Sequence, residues 1–168
     1  LMRAREARVI DCAGGYGLLV RLLRDEGIDA LWSDPYSDNL VARGFEYSGG
    51  GGGLVTAFEV FEHFVSPISE IKRLIDISPN ILFSTSLIPS PAPQTVDWWY
   101  YGLDHGQHIG FYRLRTLHRI ADMFGLHLIS DGVSRHLFSK RKYSQSMWLI
   151  LTKLAERFPE FFTFGLKS

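Results

Sequence analysis

Cysteine is almost absent from this chain of 168 residues, with Cys12 as its one example. That excludes an internal disulfide and any zinc site built on clustered thiolates, and it fits a reducing cytosol, so a cytoplasmic location is expected. Net charge is absent too, because Lys plus Arg and Asp plus Glu stand at 18 each. No bulk field draws the chain to nucleic acid or to an anionic membrane. No apolar run approaches the ~20 residues of a membrane span, and no secretory h-region is visible. Internal repeats and long polar linkers are also missing. The chain meets a strand almost at once, so a segment upstream is expected to be missing.

What is present suits one domain over residues 1–168, since 46% hydrophobic and 14% aromatic residues supply a core. Short β-type runs alternate with helical ones. Strands are expected at Ala7–Cys12, Ala30–Ser33, Leu54–Phe58, Asn80–Thr85, Leu126–Asp131 and Ser146–Thr152. Helices are expected at Gly17–Asp25, with Leu18, Leu19, Leu22 and Leu23 at helical spacing, at Pro67–Asp76, with Ile68, Ile71, Leu74 and Ile75 as its buried stripe, and at Leu114–Phe124, with a weak one at Asp38–Ala42. The basic stretch Arg135–Lys142 reads as a solvated loop. Only that loop separates the last two strands, so they pair antiparallel. The expected fold is α/β, a Rossmann-like three-layer sandwich whose mainly parallel sheet ends in one antiparallel C-terminal strand.

Between the first strand and its helix runs Asp11-Cys12-Ala13-Gly14-Gly15-Tyr16-Gly17. Small residues there admit a ligand against backbone, and the next helix offers unpaired N–H groups. A dinucleotide pyrophosphate would ask for G-x-G-x-x-G. Here Leu18, Leu19 and Val20 follow Gly17, the third glycine is lacking, and Asp11 would repel a pyrophosphate while suiting a cationic ligand. Asp34, at the end of the second strand, is placed to accept hydrogen bonds from ribose hydroxyls.

Asp11, Ala13, Gly15 and Gly17 resemble the D-x-G-x-G-x-G signature of class I S-adenosylmethionine (SAM)-dependent methyltransferases, with alanine at the first glycine. Glu59-Val60-Phe61-Glu62-His63 resembles the E-V-x-E-H segment of a methyltransferase group that includes the quinone-biosynthesis O-methyltransferases. The loop Gly106-Gln107-His108-Ile109-Gly110-Phe111-Tyr112 is similar to that group's G-Q-H-I-x-F-Y. The resemblance runs from about Val9 to Leu128. It implies SAM as cofactor, bound by Asp11, Ala13, Gly14, Gly15, Gly17, Asp34 and Glu59, and a small-molecule acceptor methylated on O, N or C. Where the family has a third strand and an acid near the adenine, this chain has Glu46 as its candidate, then the run Gly49–Gly53. The third strand around residues 45–53 is therefore expected to be shortened, and the glycine run to offer no side chain that could recognise an adenine.

His63 is the first choice for a base toward an acceptor hydroxyl and His108 the second, since an imidazole titrates near neutral pH. Glu62 could orient His63 or bind a divalent ion. Trp98 and Trp99, in a run of four aromatics, and His105 are expected to line the acceptor pocket and exclude water. His105 and His108 with His63 or Glu62 could form a three-ligand site, but a histidine pair on a loop is weak warrant, and no metal is assigned. His118, His127 and His136 are read as structural, on a helix, a strand and a loop. Two rival functions stay open: a methyltransferase fold serving only as a binding module, and an NAD-dependent oxidoreductase.

Overall fold

A computed structural model describes residues 8–157. The elements in order are β1 (Val9–Cys12), α1 (Leu18–Asp25), β2 (Ala30–Ser33), β3 (Leu54–Phe58), α2 (Pro67–Ile77), β4 (Ile81–Ser84), α3 (Leu114–Met123), β5 (His127–Ser130), β6 (Arg135–Ser139) and α4 (Gln145–Arg157), with single 3-10 turns at Phe61–His63 and Trp99–Tyr101. Ala7, the expected start of the first strand, lies outside the described residues. The six strands form one sheet in the order β2-β1-β3-β4-β6-β5. β1 pairs parallel with β2 and β3, and β3 with β4, whereas β6 runs antiparallel to both β4 and β5. The expected single antiparallel strand is therefore present.

That strand is not the expected one. Ser146–Thr152 lies within α4, and the presumed loop at Arg135–Lys142 supplies β6. A short apolar run does not distinguish strand from helix. Here Ser144 decides the matter: its hydroxyl accepts the Met147 N–H (3.3 Å) and its carbonyl the Trp148 N–H (3.0 Å), starting the helix. Asp131-Gly132 is a hairpin signal, and Asp131 Oδ1 accepts the N–H groups of Val133, Ser134 and Arg135 at 2.8–3.0 Å to close the turn. His136 thus sits on β6, fully buried. Thr85 carbonyl receives its Nε2–H (3.0 Å) and the Ser130 hydroxyl faces its Nδ1 (2.8 Å). Burial holds its pKa below the ordinary value, in keeping with a structural histidine.

Side chains alternate across a strand, so Val9 and Ile10 face opposite sides of the sheet. Ile10, Val55, Ala57, Ile81 and Phe83 join Ile71 and Leu74 of α2 and Leu117 and Ile120 of α3 in the larger core. Val9 and Ala30 join Val20 of α1 in the smaller one. On α1 it is Val20 that is fully buried, while Leu18 and Leu22 of the expected stripe are exposed; on α2 Ile68 is likewise exposed. The buried stripe of α1 is thus shifted by one position, to Val20 with the partly buried Leu23 against Val9 and Ala30.

Asp38–Ala42 is a loop rather than a helix. Asn39 is the reason: its side chain bonds both the N–H (2.9 Å) and the carbonyl (2.8 Å) of Ala42, an alternative to helical pairing. Of the shortened third strand only a parallel bridge between Trp32 and Glu46 remains. Gly49–Gly53 leads into the amino end of β3, with Gly52 N–H on Ile77 carbonyl (3.0 Å) and Gly53 N–H on Arg8 carbonyl (2.8 Å). The run is thus at the amino edge of the sheet, opposite the edge where β1–β3 deliver the glycine loop, Asp34 and Glu59.

Candidate active site

Ligands of open parallel sheets bind where the strand order reverses, outside the carboxyl ends. Here that place lies between β1 and β3, because β1 is followed by β2 on one side and by β3 on the other. The loop after β1 turns left-handed at every second residue, with φ of 56° at Ala13, 52° at Gly15 and 89° at Gly17. This alternation explains the spacing of the signature: each of its glycine positions needs a conformation that costs an L-residue about 1–2 kcal/mol, a penalty Ala13 bears. A Cβ on Gly17 would stand 2.7 Å from Asn39 Oδ1 and 2.9 Å from Ala42 Cβ. Gly17→Ala should therefore lower stability by about 1–3 kcal/mol, read as a lower urea midpoint at unchanged slope.

Asp11, 3% exposed, ends β1 beneath this loop. Its Oδ1 accepts the Thr56 hydroxyl at 2.7 Å. Burial pushes its carboxyl up to about 6 from an ordinary 3.8, opposed by the Thr56 bond and reinforced by the charge of Asp34. A Cβ on Gly14 would stand 2.6 Å from Asp11 Oδ2, so the loop closes over the carboxylate only because residue 14 is glycine. The Trp32 indole N–H holds Gly15 carbonyl at 2.8 Å. Asp34 accepts Gly15 N–H on Oδ2 (2.9 Å) and Tyr36 and Ser37 N–H on Oδ1 (2.8 and 3.1 Å). A carboxylate has about four lone-pair positions; three are taken, so one hydrogen bond can be added without rearrangement. Glu46 is held by its own backbone N–H first, then by Gly44 N–H and Asn39, which together keep its carboxyl below the ordinary value, and its own loop accounts for it.

The second cluster follows β3. Glu59, another left-handed residue at φ 52°, receives the Ser84 hydroxyl on Oε1 (2.5 Å) and the Tyr100 hydroxyl on Oε2 (3.1 Å). It thereby fastens the end of β4 and the aromatic loop to the end of β3. The loop is fastened again where Ile109 and Gly110 N–H donate to Glu62 carbonyl at 2.8 and 2.9 Å. These ties bring His108 against His63, with ring centroids 5.0 Å apart. One ligand atom from each of Glu62, His63 and His108 falls within 4.8 Å of the others. His63 Nδ1 lies 3.0 Å from Gln107 carbonyl and His108 Nδ1 2.6 Å from Tyr100 carbonyl. A carbonyl only accepts, so each Nδ1 carries the proton and each Nε2 keeps an open lone pair. Glu62 is fully buried, and neither carboxylate oxygen has a hydrogen-bond partner. Burial and the Glu59 charge raise its pKa.

The other expected residues divide. Trp98 packs on Tyr100 and Tyr101, with centroids 5.3 and 4.9 Å away, whereas Trp99 is 80% exposed. His105 meets His108 edge-on (4.9 Å) and accepts Gln107 N–H on Nδ1 (3.1 Å). Trp32, Thr56, Ser84 and Tyr100 complete the two clusters without having been assigned a site role from sequence. Thr56 had a signal, a lone polar residue in an apolar strand; Trp32 had none.

A family model described as "Methyltransferase domain" matches residues 2–131. The chain belongs to this family. Among solved structures, the domain is similar to an O-methyltransferase family protein from Burkholderia thailandensis, at 16% identity and a TM-score of 0.63, over 86% of this chain and 54% of that one. It is similar to the O-methyltransferase NcsB1 from neocarzinostatin biosynthesis, solved with S-adenosyl-L-homocysteine and 1,4-dihydroxy-2-naphthoic acid, at 19% identity and a TM-score of 0.59, over 80% and 49%. A structure titled "A Pericyclic Reaction enzyme" matches at 12% identity and a TM-score of 0.54, over 80% and 43%. The methyltransferase domain thus spans about half the length of these structures, and at such identities the likeness is one of fold. No curated protein matches by sequence.

Proposed function

We propose that this domain binds SAM on the Asp11–Gly17 loop and transfers its methyl group to a hydroxyl of a small molecule held before His63 and His108. The observation that carries the reading is the pairing, at one sheet edge, of a buried acid under a left-handed loop with two imidazoles presenting open Nε2 atoms. Asp11 suits the amino end of SAM, and Asp34 the ribose. Ala13, Gly14, Gly15 and Gly17 present backbone, and Glu59 borders the donor side. The acceptor hydroxyl gives its proton to Nε2 of His63, or of His108 in second place. Its oxygen attacks the methyl carbon, a C–O bond forms, the C–S bond breaks, and sulfur leaves as a neutral thioether. The leaving group carries its own activation, so the protein's task is alignment and exclusion of water. Trp98 and His105 line the acceptor side; Trp99 would join them only by turning inward. The preference for oxygen rests on the imidazoles and on the O-methyltransferases among the similar structures.

The balanced charge supports a small-molecule partner rather than nucleic acid, and Cys12 a cytoplasmic location. Among the described residues no helix is long and apolar enough to cross a membrane. A second reading, that the fold serves chemistry other than methyl transfer, draws on the pericyclic enzyme among the similar structures.

Calorimetric titration with SAM, its demethylated product and NAD tests the donor half. Both SAM-type ligands should bind and NAD should not; absence of SAM binding would end the proposal. Asp34→Ala should weaken SAM binding about 10- to 100-fold, the worth of a hydrogen bond to a charged group. Unchanged affinity would remove Asp34 from the site.

A further inference from the structure

Charge is balanced over the whole chain but not within it. Residues 113–142 hold seven Lys and Arg against two acids, Asp122 and Asp131, and the rest of the chain carries the compensating excess of acid. Asp131 is taken up by the hairpin N–H groups, and Arg135 pairs with Glu156. Arg115 and Arg119, one turn apart on α3, and Lys140 and Lys142, after β6, are exposed. None of the four pairs with an acid among the described residues. Such a face attracts the opposite charge.

A groove runs past these cations along β5, the edge strand of the sheet. It has a volume of about 380 Å³ and lies between His118 of α3 and the Lys142-Tyr143 segment, with Leu126, Leu128 and Ile129 as its apolar lining. Asp131 N–H bonds to Arg135 carbonyl at 3.0 Å, which sets the alternation along the hairpin. His127 and Ile129 therefore pair with β6, and Leu128 between them turns its N–H and C=O outward. The Gln145 side chain covers Ser130 carbonyl at one end of this edge. Among the described residues nothing bonds the outward main chain of Leu128. An open strand edge is a template for a further strand.

We propose that the β5 groove docks an extended acidic segment of another protein, added as a strand beside Leu128. Main-chain bonds to Leu128 supply the pairing, and alternate side chains supply the choice of partner. One set lies against Leu126 and Ile129, and the acidic set faces Arg115, Arg119 and Lys142. The cations alone would accept any anion. The strand edge and the apolar lining narrow the choice, because a phosphate backbone or a lipid headgroup offers neither a matching ladder of N–H and C=O nor apolar side chains. Two strands, β6 and β4, separate β5 from β3 and its acceptor cluster. The docking surface is thus distinct from the methyl-transfer site, and a partner could bind while that site works.

The test is fluorescence anisotropy of a labelled, end-capped octapeptide of alternating Glu and Val, titrated with the full chain. It should bind saturably at about 20 mM salt and at least about 10-fold more weakly at about 300 mM, where exposed charges are screened. Arg115→Glu, Arg119→Glu and Lys142→Glu together should weaken it at least about 10-fold, with circular dichroism and SAM affinity unchanged. Two further readouts separate strand addition from attraction between charges. The same peptide N-methylated throughout keeps its charges but cannot pair, and should lose at least about 10-fold in affinity. The Leu128 N–H should exchange with solvent more slowly once the peptide is bound. Absence of binding, or equal binding of the methylated peptide, would overturn the proposal. Tighter binding of an oligouridylate or of phosphatidylserine vesicles than of the peptide would also overturn it, and would assign the basic face to nucleic acid or lipid.

Discussion

Asp11→Asn should make the ligand-free protein more stable above pH 6 while weakening its hold on SAM. The carboxyl of Asp11 lies beneath the glycine loop with 3% exposure, and its pKa rises from 3.8 to about 6. Between those values the folded protein holds a proton that the unfolded chain releases, so stability falls as pH climbs through that window. Above about pH 6 the loss is complete, on the order of 3 kcal/mol for a shift of this size. Asparagine keeps an oxygen for the Thr56 hydroxyl and carries no charge to desolvate. Its melting temperature at pH 8 should therefore exceed that of the native protein by about 5–10 °C, with the difference vanishing below pH 4. SAM binding should drop about 10- to 100-fold, because the positive amino end loses a charge-assisted acceptor. Melting curves across pH and calorimetry measure both halves. Equal melting temperatures at pH 8 would show that Asp11 bears no burial penalty.

The same geometry explains why the donor half could be read from the sequence. Ala13, Gly15 and Gly17 recur at every second position because the backbone turns left-handed at each, and Asp34 follows one helix later. Such signals are local: spacing and residue type carry them. The partners that make the loop rigid are not local. Thr56 reaches Asp11 from a neighbouring strand, and Trp32 reaches Gly15 from another. At the acceptor half the residue types were visible, but His63 and His108 lie far apart in sequence. Their meeting depends on the Glu62 carbonyl catching Ile109 and Gly110. The misplaced last strand has a different cause. Apolar content marked Ser146–Thr152, whereas pairing was decided by the Asp131-Gly132 turn, which folds the less hydrophobic Arg135–Ser139 back onto β5. Turn chemistry outweighed hydrophobicity there, as it does wherever a tight hairpin fixes register.

His108→Ala should lower kcat about 10²- to 10⁴-fold, the usual worth of a positioned proton-transfer group, with SAM affinity unchanged. The separation is expected because the ring bonds to Tyr100 carbonyl and packs against His63, contacts that belong to the acceptor half. Asp11, Gly15 and Asp34 lie on the other side of β3 from the aromatic loop and keep their own partners. His63→Ala should act likewise. The decisive comparison is the double variant. Independent contributions to the barrier multiply, whereas two imidazoles that manage one proton fail together. The double variant should therefore be hardly slower than the slower single one. Single-turnover rates with a hydroxylated aromatic acceptor, beside calorimetric SAM affinities, measure each quantity. A multiplicative loss would assign the two rings separate tasks, and an unaltered rate in both single variants would move the proton's destination away from this cluster.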